Sequence, residues 1–521
     1  MTRNGKTGVS RPTALIVVAC VAAIVVLAMP AKAVTSLEGY SDLMLQLTSG
    51  KGGDPAWQLG NPRLYAEFRL KSSPWTDIDT FLKVSAESDR WSEDLKDTRL
   101  FLNEAHMRFH GSRVEAHLFT GQDRFWLNEP LLAIVDQGMV KHDDWGVRAQ
   151  GVRLDFWDVF GIHGAAFYSE RSDYVSKGFA GMTDELEYYP GTTEADTVSS
   201  STDDYRGLRL NRRFLGDEML FGATYARKDF NETAFHGSAG SYDEVFALDS
   251  ELALGELVPF LTRFGRVTWA TEYGLNNSGW LDDSNDSGVA GFKTEIRDIR
   301  AGPIRLLASY GDYGERFYTD GLASEDRRNL NGYTKYYAEA HYRLSRKAVN
   351  LKYWTYREEP KDYTISEYGV RQEWGTEAYV EFVNGFTGKA EYKVHENKDG
   401  IWPNLFFEVT GENRLVKLRT QFRIRDVDTV YEVAGYGFEA NVNLSDNWKF
   451  YARVMNVSEQ TESRQTAFAQ VRYLGWSGAE FFVEYGNPDH SNELANDGDF
   501  VSHGSGAVME KVFKAFIRVY Y

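Results

Sequence analysis

From Val34 to Tyr521 the chain repeats one unit: about ten residues in which every second position is apolar, then a turn or a polar loop. Within residues 63–71, Leu64, Ala66, Phe68 and Leu70 oppose Tyr65, Glu67, Arg69 and Lys71. In the next segment Ile78, Thr80, Leu82, Val84 and Ala86 oppose Phe81, Lys83, Ser85 and Glu87; much later Val416, Leu418, Thr420, Phe422 and Ile424 oppose Lys417, Arg419, Gln421, Arg423 and Arg425. A period of two predicts strands with one face toward an apolar environment and one toward water. A soluble β-sandwich alternates too, but here Tyr, Phe and Trp gather toward the ends of the apolar faces, as in the girdles of a membrane interface.

The connections sharpen this reading. Tight links are expected at 110–113, 158–161, 215–218, 301–303, 344–347, 384–388, 410–414, 444–447 and 474–478. Longer polar links, rich in Gly, Asn, Asp and Ser, fall between them at 48–60, 122–144, 170–203, 276–287, 311–328 and 486–506. The expected fold is all-β: a single-chain transmembrane antiparallel β-barrel of 24 strands over residues 34–521, with short periplasmic turns and longer extracellular loops. Pattern is weakest at 241–264, where Pro259 interrupts it, and at 145–171, so one hairpin fewer or more would give 22 or 26 strands.

The chain ends inside a strand, KVFKAFIRVYY, with Val512, Lys514, Phe516, Arg518 and Tyr520 on one face and Phe513, Ala515, Ile517, Val519 and Tyr521 on the other. A barrel loses its free edge only when the last strand pairs with the first, which would bring Lys514 and Arg518 near Glu38 and Asp42. Phe513, Ile517, Val519 and Tyr521 resemble the carboxyl-terminal signal of bacterial outer-membrane proteins, and that resemblance implies handling by the barrel-assembly machinery.

Residues 1–33 are of a different kind. Arg3, Lys6 and Arg11 precede the apolar run 14–29, and Ala31-Lys32-Ala33 follows Pro30, the order of a secretory signal peptide cut after Ala33. Cleavage removes the sole cysteine, Cys20, and with it any disulfide or thiolate metal site. It also removes four cations and no acid, taking the net charge from −18 to −22, which argues against a nucleic-acid partner. Past Ala33 no apolar run is long enough for a spanning helix, so any crossing is made by strands.

With 24 strands the wall encloses more than its own side chains can fill, and no plug domain precedes the first strand. The candidate pore-lining residues are Lys417, Arg419, Arg423, Lys449, Arg453, Arg472, Lys514 and Arg518, with the acids Glu377, Glu381 and Glu408. They read either as cross-strand ion pairs or as a cationic stripe favouring anionic solutes. Inward aromatics including Tyr65, Phe81, Phe119, Trp354, Phe406, Phe482 and Tyr520 add ring faces on which saccharides could stack. The apolar stretch 130–136 inside the polar loop 121–146 is either a short rim helix or a segment folded into the barrel. In the second case Asp123, Arg124, Glu129, Lys141, Asp143 and Asp144 would form a constriction.

These features together resemble the bacterial porin superfamily in the broad sense, including single-chain barrels of the alginate-export type. The resemblance implies an outer-membrane channel in a Gram-negative bacterium, in contact with outer-membrane lipid and passing polar or anionic small-molecule solutes. A sheath around a periplasmic partner protein is the alternative. Against an enzyme, the ten histidines form neither H-E-x-x-H nor a partner for G-x-S-x-G, although His106 and His117 could face each other across the 110–113 hairpin near Glu104 and Glu115. No cofactor is expected. Segments 282–288 and 492–499 have the oxygen density calcium favours, but the first lacks the glutamate that completes an EF-hand loop. Protein recovered from membranes is expected to begin at Val34 on N-terminal sequencing; an N-terminus at Met1 would contradict the signal-peptide reading.

Overall fold

The computed structural model describes residues 34–49, 57–59, 63–88, 98–122, 127, 129–135, 148–172, 202–229, 242–279, 288–319, 322–323, 327, 329–344, 349–362, 369–383, 385–459, 463–486 and 511–521. Twenty-four strands form one closed antiparallel barrel, as the alternation predicted. A further short strand, Trp57–Leu59, pairs with the end of the first strand, Val34–Ser49. Strands spaced about 4.8 Å apart and tilted about 40° give a barrel roughly 45–50 Å across.

Closure occurs where the ends of the chain meet. Val34–Ser49 pairs on one side with Arg63–Trp75 and on the other with the last strand, Lys511–Tyr520. Register sets Asp42 opposite Arg518, whose Nε and Nη2 donate to Oδ1 and Oδ2 at 2.7 and 2.6 Å. The guanidinium also lies 4.4 Å from the centroid of the Tyr40 ring. On the opposite face Tyr521 stacks on Phe68 at 5.1 Å, and Gly39 and Tyr521 exchange backbone hydrogen bonds of 2.9 and 3.1 Å.

The expected partners need one correction. Tyr40 already lies opposite Tyr520, so Glu38 extends past the end of the last strand and meets Lys71 instead, at 3.5 Å. Lys514 lies opposite Glu484 on its other side.

Pro259 does not interrupt a strand. Tyr242–Ala253 runs its full length, and Pro259 heads the 3-10 helix Pro259–Phe264, which with the helical turn Leu254–Leu257 makes one link on the short-turn side unusually long. A proline at a helix start loses no hydrogen bond, because that N–H has no intrahelical partner. The 145–171 region likewise resolves into Arg148–Val159 and Ile162–Ser172. Loop asymmetry is weaker in the second half of the chain than expected: Asn397 and Gly400 are joined on the long-loop side by a two-residue turn.

Because the pair is mostly buried in a sheet seam, Arg518→Ala should destabilise the folded barrel by about 2 kcal/mol. The urea midpoint of the detergent-folded protein measures this. Swapping the pair, Asp42→Arg with Arg518→Asp, should restore part of the loss, and a midpoint unchanged in the single variant would remove the pair from the seam's energetics.

Candidate functional site

Two faces of the wall differ in kind. One exposes Leu208, Phe221, Phe246, Leu248, Trp269, Tyr273 and Leu275; the other carries Arg209, Thr224, Asp249, Glu272 and Lys293. Leu127 and Glu129–Val135 pack on this second, inner face. They do so with Phe119, Phe167, Tyr205, Ala247, Tyr313 and Phe317, from the strands between Val114 and Tyr313 and the loop after them. The described part of this stretch, 130–135, forms no helix. Glycines make room for it: a side chain at Gly207 would meet Leu127 at 3.0 Å, and one at Gly274 would meet Leu132 at 3.3 Å.

Polar contacts hold the segment at its tip. Glu272, fully buried, accepts the backbone N–H groups of Leu131 and Leu132 through Oε2 at 2.9 and 2.7 Å. Tyr318 donates its hydroxyl to the Leu132 carbonyl at 2.9 Å, and Lys293 Nζ donates to the Leu131 carbonyl at 3.4 Å. Consecutive amides are thus satisfied by wall groups rather than by water, which a buried non-helical segment requires. Burial pushes the carboxyl of Glu129, on the segment itself, above the usual carboxylate range; it accepts the Val135 N–H at 3.4 Å. Beside it Arg209 grips Asp249 with two guanidinium nitrogens at 2.7 and 2.9 Å and donates to Thr224 Oγ1 at 2.8 Å.

Of the constriction residues expected from sequence, Glu129 is on this segment; Asp123, Arg124, Lys141, Asp143 and Asp144 lie outside the described residues, as do both calcium-like segments apart from Gly288. Among the described residues no cluster of His, Cys, Asp and Glu could hold a metal ion. Sequence reasoning missed Glu272, Arg209, Asp249 and Lys293. Their signal was charge at inner positions flanked by small ones, as in Ala270-Thr271-Glu272-Tyr273-Gly274.

On the other half of the wall the candidate cations share the inner face with carboxylates. Arg419 binds Glu439 through Nε and Nη2 at 3.1 and 2.6 Å, and Arg472 binds Glu480 at 2.8 and 2.6 Å. Lys417 lies 3.5 Å from Glu412, Glu377 is 2.9 Å from Lys389, and Glu408 accepts from Gln421 at 2.7 Å. Arg423 is buried with its guanidinium 5.0 Å from the Phe406 centroid, and Arg453 is in register with Glu439 and Phe468. Lys449 and Glu381 are exposed. Phe482 and Phe516 stack at 4.4 Å, flanked by Arg472 and Arg518. His106 and His117 do meet, edge to face at 5.2 Å, but between Phe81 and Phe119 in an aromatic ladder, while Glu115 bonds His110 instead.

No protein-family profile matches the chain, and no curated protein sequence matches it. Solved structures do. An E. coli P pilus tip assembly intermediate, PapC-PapD-PapK-PapG, aligns at a TM-score of 0.55 and 8 % identity, over 93 % of this chain and 60 % of that one. The siderophore receptor PirA from Pseudomonas aeruginosa (TM-score 0.41) and the copper transporter OprC (0.40) each align at 8 % identity over 93 % of this chain and 80 % of theirs. This chain therefore spans 60 % of the length of the first. At such identities the likeness is one of fold: a large β-barrel resembling outer-membrane proteins.

Glu272→Ala should release the inward segment. Losing two buried hydrogen bonds predicts amide exchange at Leu131 and Leu132 about 10- to 100-fold faster, read by hydrogen-exchange mass spectrometry. Unchanged exchange would mean packing alone seats the segment.

Proposed function

We propose that this chain is a porin-like channel of the bacterial outer membrane, delivered by a cleaved signal peptide, assembled through its terminal strand, and passing polar or anionic solutes, saccharides among them. One observation carries the reading: a closed 24-strand barrel whose inner face is charged and aromatic and whose described inward segment lies against only part of the wall. A side-chain layer cannot fill that width, so water and solute can occupy the remainder. The inward segment acts as the constriction. Paired arginines and glutamates offer donors and acceptors to hydroxyls, and ring faces such as Phe482 offer stacking surface. No enzymatic role is assigned.

A second reading, a barrel that sheathes or receives a periplasmic partner, draws support from the short-turn rim. There Phe160 is 91 % exposed at a turn tip, and Leu215 and Phe260 project from the next two links.

In planar bilayers the refolded protein, residues 34–521, should open in stable steps that an anionic oligosaccharide blocks in a concentration-dependent way. Converting Arg419, Arg423, Arg453 and Arg472 to Glu should move the reversal potential toward cation selectivity. Protein that inserts without conducting would overturn the channel reading, and an unmoved potential would take these arginines out of the pathway.

A further inference from the structure

Several inner-face cations of the wall are matched by carboxylates, as in Arg209–Asp249, Arg419–Glu439, Arg472–Glu480 and Arg518–Asp42. A different set has no such partners. Arg263, Arg266, Arg300, Arg305 and Arg343 are all exposed, and none forms an ion pair among the described residues. They belong to three consecutive links on the short-turn side: the helical link after Ala253, the turn at 302–303, and the end of Tyr333–Leu344.

Backbone contacts bring them together. Arg300 and Arg305 are directly opposite across the hairpin. The Arg300 stem runs against Gly265, where an added side chain would meet it at 3.3 Å, and Gly265 precedes Arg266, whose carbonyl accepts the Gly255 N–H at 2.7 Å. Arg343 donates its backbone N–H to the carbonyl of Pro303 at 3.3 Å. Arg263 lies at the edge with its guanidinium over Phe264 at 4.6 Å.

The patch opens on the lumen. Arg305 is in register with His341, and His341 with Lys352, which pairs with the inward Glu339 at 2.9 Å. Of the nearby carboxylates, Glu251 and Glu295 hold Arg297 at 2.6 and 3.0 Å, while Asp298 accepts only the neutral Thr268 hydroxyl at 3.3 Å. Glu256 is the remaining acid on the link.

Like charges directly opposite on a sheet destabilise it, and the chain carries a net charge of −18, so it has no shortage of acids with which to neutralise them. A sequence that keeps such a cluster bare at a lumen mouth gains from it when an external anion completes it. We infer that the short-turn mouth carries an anion-docking site formed by Arg266, Arg300, Arg305 and Arg343. It takes solutes with two or more carboxylate or phosphate groups about 5 Å apart, the spacing of cross-strand neighbours. It lies at the periplasmic end, so it loads solute from that side. The inference deepens the channel reading and rests on it for direction, but its test reads binding and not current, so the two fail separately.

Calorimetric titration of the detergent-folded barrel with tripolyphosphate should show saturable binding at least tenfold tighter than that of inorganic phosphate. Arg300→Gln with Arg305→Gln should weaken it tenfold or more, while Lys398→Gln at the opposite mouth leaves it unchanged. The double variant, its fold checked by heat-modifiable migration, should also melt no lower than the parent, since a repulsive pair has been removed. Absent binding, equal binding in parent and double variant, or no preference for tripolyphosphate over phosphate would each overturn the site. A lower melting temperature in the variant would point to a structural role and also overturn it.

Discussion

Everything in this protein depends on one constraint: an open sheet edge leaves a row of backbone N–H and C=O groups unpaired, so the sheet must close on itself. Closure fixes where the chain begins and ends its strands, because Val34–Ser49 must meet Lys511–Tyr520 in register. The Asp42–Arg518 pair and the Phe68–Tyr521 stack fix that register from opposite faces of the wall. A slip of one residue would turn Arg518 and Lys514 toward the apolar outer face and Ile517 and Val519 toward the polar inner one.

Closing so many strands produces a second requirement, since the enclosed width exceeds what wall side chains can span. Part is met by chain folded inward, which brings non-helical backbone into the interior and with it a need for buried acceptors and donors. Glu272, Lys293 and Tyr318 answer that need at two consecutive residues. The rest of the inner face stays polar by matching charges across strands, as in Arg419–Glu439 and Arg472–Glu480, so that its inward charges are largely compensated locally. Against that background the uncompensated arginines at the short-turn mouth mark a place where binding, not wall stability, explains the residues kept.

Strand number, inner and outer faces and the closing pair were legible in the sequence because a period of two is a local signal that survives in every strand. Pro259 misled for a local reason also: it suggested a broken strand, whereas it starts a 3-10 helix in a link longer than expected. The clasp on the inward segment was not legible, because Glu272 and Leu131 are 141 residues apart and only the fold brings them together. The same holds for the bare arginines. Arg300 and Arg305 flank a turn and look like ordinary turn-end polarity, and nothing local reveals that Arg266 and Arg343 lie on the neighbouring links or that Glu251 and Glu295 are already taken by Arg297.

The central claim is a barrel with a wet, charged inside and a lipid-facing outside, and the absence of cysteine after Ala33 makes it directly measurable. Single cysteines would be placed along two paired strands, at Lys417, Arg419, Glu439 and Asn441 on the inner face and at Leu418, Thr420, Phe438 and Ala440 on the outer. Each would be reacted in liposomes with a charged, membrane-impermeant thiol reagent. The account predicts labelling at the first four positions and protection at the second four; labelling that ignores this alternation, or reverses it, would contradict it.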